Sequence, residues 1–221
     1  MPVYHRSRLV HIHIPKTGGT AITEQLGKID PPTDHHHSWI GSRYQGGRWF
    51  EYQHLSLREL DALSDVDLAD YFVVAVVRDP YQRLLSDYRW RNSISAAYPN
   101  APILPFDSFD TFIKSIPQDI NENFDRHIQT SDQAWANFLI HVRPQYQYLL
   151  SSNKGQQIDH LIRFETIVSD MKPLFQRLGA ENTLIKDPPR PDLKQQYTLE
   201  QIEILNDIYQ VDFSTFGYSI R

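Results

Sequence analysis

Cysteine is absent from the 221-residue chain. Its absence excludes disulfides, thiolate metal centres and a cysteine nucleophile, and fits a reducing or an oxidising compartment equally. No apolar run approaches the roughly 18 residues needed to cross a bilayer. Basic residues are also short, with 22 Lys and Arg against 27 Asp and Glu, a net charge of −5 and a pI near 6.0. Nucleic acid and anionic membranes therefore receive no global attraction, and an anionic ligand must be met by a local group of cations. Repeats and low-complexity tracts are missing as well. What is present is 40% hydrophobic and 12% aromatic residues in 25.9 kDa, enough to build one α/β domain with a sizeable core. The expected organisation is a single domain over residues 1–221. The opening MPVYHRSRLVHIHIPKTGG reaches a candidate functional loop so soon that no secretory leader fits before it, and the expected location is cytoplasmic.

Hydrophobic periodicity orders the chain. Leu9 to Ile14 alternates apolar residues with His11 and His13 and reads as a strand stopped by Pro15. Those two histidines share one strand face and are expected to pack beneath the fold. A short helix is expected over Ala21 to Lys28, with Ile22 and Leu26 on one face. The proline- and glycine-marked stretch from Ile29 to Phe50 reads as a long loop. SLRELDALSDVDLADYF predicts one or two short helices, and FVVAVV, Phe72 to Val77, predicts a strand buried on both faces. Asp79 and Pro80 then form an N-cap and first helical position for a helix carrying Leu84, Leu85 and Tyr88.

Further along, Phe106 to Ile116 predicts a short helix, and Pro144 splits the following apolar stretch into a loop or short helix and a helix from Pro144 onward. His160 to Glu165 reads as a third strand. TIVSDMKPLFQRLG reads as a helix closed by Gly179, IKDPPRPD as a linker, and TLEQIEILNDIYQVDF as the final helix. Alternating strands and helices predict a three-layer, P-loop-like α/β fold with a mostly parallel central sheet flanked by helices, whose ligands sit beyond the carboxyl ends of the strands.

Two candidate sites lie at such ends. PKTGGT, which places Lys16, Thr17, Gly18, Gly19 and Thr20 between a strand and a helix, is not a Walker A loop, because the lysine precedes the glycines. It is either an anion cradle of small residues, hydroxyls and a helix N-terminus, or a tight strand–helix connection. RDPYQRLLSDY follows the Phe72 to Val77 strand with Arg78 at the strand end and Ser86 about two turns into the helix. The alternative is an Arg83–Asp87 ion pair at i,i+4 with Ser86 on the surface.

The two motifs together resemble the sulfotransferases that use 3′-phosphoadenosine-5′-phosphosulfate (PAPS), especially the carbohydrate branch that includes the uronyl 2-O-sulfotransferases. RPQYQYLL, IRFE and IYQVDFSTFGY extend the likeness over most of the chain. The resemblance implies that Lys16, Thr17, Gly18, Gly19 and Thr20 hold the 5′-phosphosulfate and that Arg78 and Ser86 hold the 3′-phosphate. It further implies a hydroxyl acceptor, a saccharide, and adenosine 3′,5′-bisphosphate as the product, with no metal required. His54, in WFEYQHLSLREL, matches the family's acceptor-facing histidine, so the implied catalytic residues are Lys16 and His54. Relatives often carry a second histidine two positions earlier, where this chain has Tyr52. His54 is otherwise the cap of the helix beginning near Ser56. An ATP-dependent kinase of P-loop type and a non-catalytic nucleotide- or glycan-binding module are the competing classes.

The other polar clusters have plainer readings. His35, His36 and His37 are consecutive and cannot all face one ion, so a solvated loop is expected. Arg43, Arg48, Arg89 and Arg91 either line an acidic acceptor groove or are scattered surface arginines.

Overall fold

The computed structural model describes residues 3–30, 41–63, 67–151, 155–181 and 196–221. His35 to His37 and the IKDPPRPD linker lie outside them. The chain divides into two compact units, the first comprising Met1–Gly41, Tyr52–Arg78 and Gln147–Arg190, the second Ser42–Glu51, Asp79–Tyr146 and Pro191–Arg221.

Unit one is built on a four-stranded sheet of β1 (Val3–Tyr4), β2 (Leu9–Ile12), β5 (Phe72–Val77) and β6 (His160–Arg163), in that spatial order. The short edge strand β1 runs antiparallel to β2, whereas β2, β5 and β6 are parallel. Val73 to Val77 are all buried, as a strand covered on both faces requires. Around the sheet run α1 (Gly19–Ile29), α2 (Leu57–Leu63), α7 (Ile167–Asp170) and α8 (Lys172–Arg177). One core joins Leu9, Val74, Val76 and Ile162 to Ile22 and Leu26 of α1, Ile167 of α7, and Leu174 and Phe175 of α8. This is the expected α/β architecture, a mostly parallel sheet flanked by helices. Pro173 divides the helix expected after β6 into α7 and α8, because proline fits only the first turn of a helix.

Unit two holds the hairpin β3 (Ser42–Gln45) and β4 (Arg48–Glu51), then α3 (Pro80–Ala97), α4 (Phe109–Lys114), α5 (Ile120–His127), α6 (Gln133–Val142), α9 (Leu199–Ile208) and α10 (Gln210–Phe216). The hairpin replaces the last part of the loop expected before Phe50. Its turn is Gly46–Gly47, with φ of 60° and 84°, the pair of left-handed positions that a two-residue hairpin loop of type I′ demands. The helix α3 starts as expected, with Asp79 accepting from the Gln82 N–H and Pro80 in the first turn.

Before Pro144 the short helix of the two alternatives forms as α6, but the helix expected from Pro144 onward does not, and only the turn Gln145–Tyr148 follows the proline. Buried Arg83 donates to the carbonyls of His141 and Arg143 at the end of α6, at 2.7 and 2.8 Å. The buried Asp212 carboxylate then accepts from the N–H groups of Gln145 and Tyr146 at 2.8 and 2.9 Å. A cation on the last carbonyls and an anion on the next amides complete this break in the chain.

Candidate active site

The parallel register sets Ile12 level with Ala75 and Ala75 level with Leu161, so the carboxyl ends of β2, β5 and β6 lie side by side in unit one. The segments that leave them are tied together. Beyond β2, Lys16 and Gly18 adopt left-handed backbone, with φ of 66° and 85°, and buried Thr17 donates its hydroxyl to the Ile14 carbonyl at 2.9 Å. Beyond β5, Arg78 donates from Nη1 to the Lys16 carbonyl at 3.0 Å and lays its guanidinium over the Phe164 ring at 4.2 Å. Beyond β6, Phe164 closes on Gly18, where a Cβ would stand 2.6 Å from Cε2 of that ring. The loop is thus clamped by one residue from each neighbouring strand end.

Gly19, the first residue of α1, is constrained from the other side. A Cβ there would stand 2.0 Å from Cδ2 of His13. Both glycines are required by packing within the protein as well as by any close approach of a ligand. The first amides of α1 point out of the helix start by the geometry of any α-helix. Lys16 is half-buried and Thr20 exposed at its rim.

His54 is buried, and its Nδ1 lies 2.8 Å from the His13 carbonyl. A carbonyl only accepts, so Nδ1 carries the hydrogen and Nε2 holds the lone pair of the neutral ring. The cap of α2 is taken by Ser56, whose N–H and hydroxyl both meet the Glu59 carboxylate at 2.8 Å while the Glu59 N–H returns to Ser56 Oγ. That reciprocal pair is a capping box and removes helix capping as the reason for His54.

A sequence model of the sulfotransferase family matches residues 2–219. The chain belongs to the sulfotransferase family. No curated protein and no solved structure matches it. As a sulfotransferase it moves a sulfuryl group to a hydroxyl-bearing acceptor. Among the described residues no helix is long and apolar enough to cross a membrane.

In this sulfotransferase Lys16, Thr17, Gly18, Gly19, Thr20, His54 and Arg78 all lie in unit one, and contacts tie the loop to Arg78 and to His13, the partner of His54. Ser86 lies on α3 in unit two, half-buried. The pairing expected for that helix is different. Arg83 serves the end of α6, and Asp87 instead takes Arg91 Nε at 2.7 Å and His141 Nδ1 at 2.6 Å. Arg91 is fully buried, neither a surface nor a groove arginine. Against the opposing effect of burial, the Arg91 guanidinium and the hydrogen bond from His141 hold the Asp87 carboxyl well below its usual range.

His11 is completely buried, as expected, and stacks on His13 with centroids 5.5 Å apart, but His13 is only half-buried and lies against Gly19 and His54 rather than beneath the fold. Sequence reasoning missed two contributors, Phe164 and the carbonyl of His13. A phenylalanine after a strand carries no signal of the turn it will cover, and a backbone carbonyl carries none at all.

Proposed function

We propose that this sulfotransferase uses PAPS as donor and a carbohydrate hydroxyl as acceptor. The support is the clamped loop, in which a lysine, two glycines and a helix start are held at the strand ends beside Arg78, with His54 presented in a single tautomer through His13. Lys16 and the amides of Gly18, Gly19 and Thr20 would meet the 5′-phosphosulfate, and Arg78 the 3′-phosphate. His54 Nε2 would take the proton of the acceptor hydroxyl as its oxygen bonds to sulfur. The bond from sulfur to the bridging phosphate oxygen breaks, and adenosine 3′,5′-bisphosphate leaves with its growing charge met by Lys16.

Turnover of labelled PAPS on a panel of saccharides tests the reading. Transfer of label to a saccharide hydroxyl, with adenosine 3′,5′-bisphosphate binding more tightly than ATP, is the expected result. Tighter ATP binding with phosphoryl transfer would make the protein a kinase. Donor binding without turnover on any acceptor would overturn the assignment of His54.

A further inference from the structure

We propose that His13 is a positioning residue that couples the 16–20 loop to His54, an inference resting on His54 as the base. Its ring fills the space against Gly19, with the Cδ2 and Nε2 atoms 2.0 and 2.3 Å from where a Cβ at Gly19 would stand. The same residue supplies the carbonyl that orients His54 at 2.8 Å, and the two rings meet edge-on with centroids 4.8 Å apart. Behind it the fully buried His11 lies nearly parallel at 14°, so the His13 ring has a packed neighbour on the core side.

The link from ring to carbonyl is short and stiff. Ile14 precedes Pro15, which confines the backbone of both residues, and the Ile14 carbonyl is held by Thr17. A shift of Gly19 and the first turn of α1 on anion binding therefore presses on the His13 ring. The movement passes to the carbonyl that fixes the tautomer and direction of His54. Donor occupancy thus sets the base before the acceptor is deprotonated.

Nuclear magnetic resonance of the full chain reads this coupling directly. In wild type, the His54 ring resonances are expected to move when adenosine 3′,5′-bisphosphate is added. In His13→Ala they stay still while the nucleotide continues to bind, and in His13→Phe, which keeps a ring against Gly19, the response returns. His13→Ala should lower kcat roughly 10- to 100-fold, the scale of a misplaced reacting group, with little change in donor KM. It should add nothing in a His54→Ala background. An unmoved His54 signal in nucleotide-bound wild type overturns the proposal without any variant, as does an undiminished effect of His13→Ala in the His54→Ala background. Normal turnover by His54→Ala would instead remove the base, while the wild-type resonance response would still report the coupling.

Discussion

The carbonyl of His13 decides which nitrogen of His54 can accept a proton, and a backbone acceptor cannot itself titrate away. His54→Ala is expected to lower kcat by about 100- to 10,000-fold with nucleotide affinity nearly intact, the span of general-base catalysis. Because the base must be neutral, wild-type kcat should fall on the acid side as the imidazole protonates, and that limb should vanish from the mutant's residual rate. Lys16 carries a proposed charge-stabilising role and a backbone role that substitutions separate, since its φ of 66° is strained for any residue with a Cβ. Lys16→Ala and Lys16→Gly should both lose roughly 100-fold or more in kcat, the scale of one preorganised charge-stabilising group. Lys16→Gly should unfold at higher denaturant than Lys16→Ala, by about 1 kcal/mol, because glycine accepts left-handed backbone without steric cost. A rise confined to KM in both variants would make Lys16 a ground-state anchor.

At the level of elements, the loop after β2 holds its shape because the ends of β5 and β6 reach across to it. Arg78 bonds the Lys16 carbonyl and covers Phe164, which in turn packs on Gly18. Arg78→Ala is therefore expected to weaken adenosine 3′,5′-bisphosphate by about 2 to 4 kcal/mol, the cost of truncating a partly buried charge partner. A smaller loss should appear for 5′-AMP, since the brace to the loop is lost along with the charge. Titration calorimetry with both nucleotides checks this, and equal losses would make Arg78 a brace alone. The hairpin β3–β4 shows how an element hides in plain sight. Its signal is the Gly-Gly pair between RYQ and RWF, outweighed along the sequence by the prolines and polar residues upstream.

At the scale of the whole molecule, His11 is buried without a hydrogen bond to either ring nitrogen among the described residues. Burial first, with His13 second, pulls its pKa well below 6.5. The unfolded chain takes up this proton on acidification while the native state refuses it, so stability from this site falls as pH drops through about 6.5, by about 1.4 kcal/mol per pH unit. His11→Leu should flatten the wild-type decline between roughly pH 6.5 and 5.5, measured by urea unfolding at several pH values. An unchanged slope would mean that the ring is protonated in the native state. Asp87 works lower in pH and by the usual carboxylate rule. Its depressed pKa contributes stability that is present above about 4 and lost as pH falls further. Asp87→Asn, which leaves Arg91 buried without its anion, should cost about 3 to 5 kcal/mol.

The strand Phe72–Val77, the Asp79–Pro80 helix start and the loop over Lys16 to Thr20 were legible in the sequence because each is governed by local rules. An unbroken, valine-rich apolar run is buried, an Asp-Pro pair begins a helix, and glycines mark the places where the backbone must turn. The α/β class followed from their alternation. What only the tertiary structure decided are pairings between distant segments. Arg83 passes over Asp87, four residues away, for carbonyls near residue 142, and Asp212 caps a turn 67 residues earlier in the chain. His54 finds its orienting carbonyl 41 residues back, and Phe164 closes on Gly18. Local propensity acts through neighbours along the chain, whereas the contacts of His54 and Phe164 exist only once the parallel register has brought the strand ends together, and those of Arg83 and Asp212 only once the helices of unit two have packed, and no spacing in the sequence encodes them.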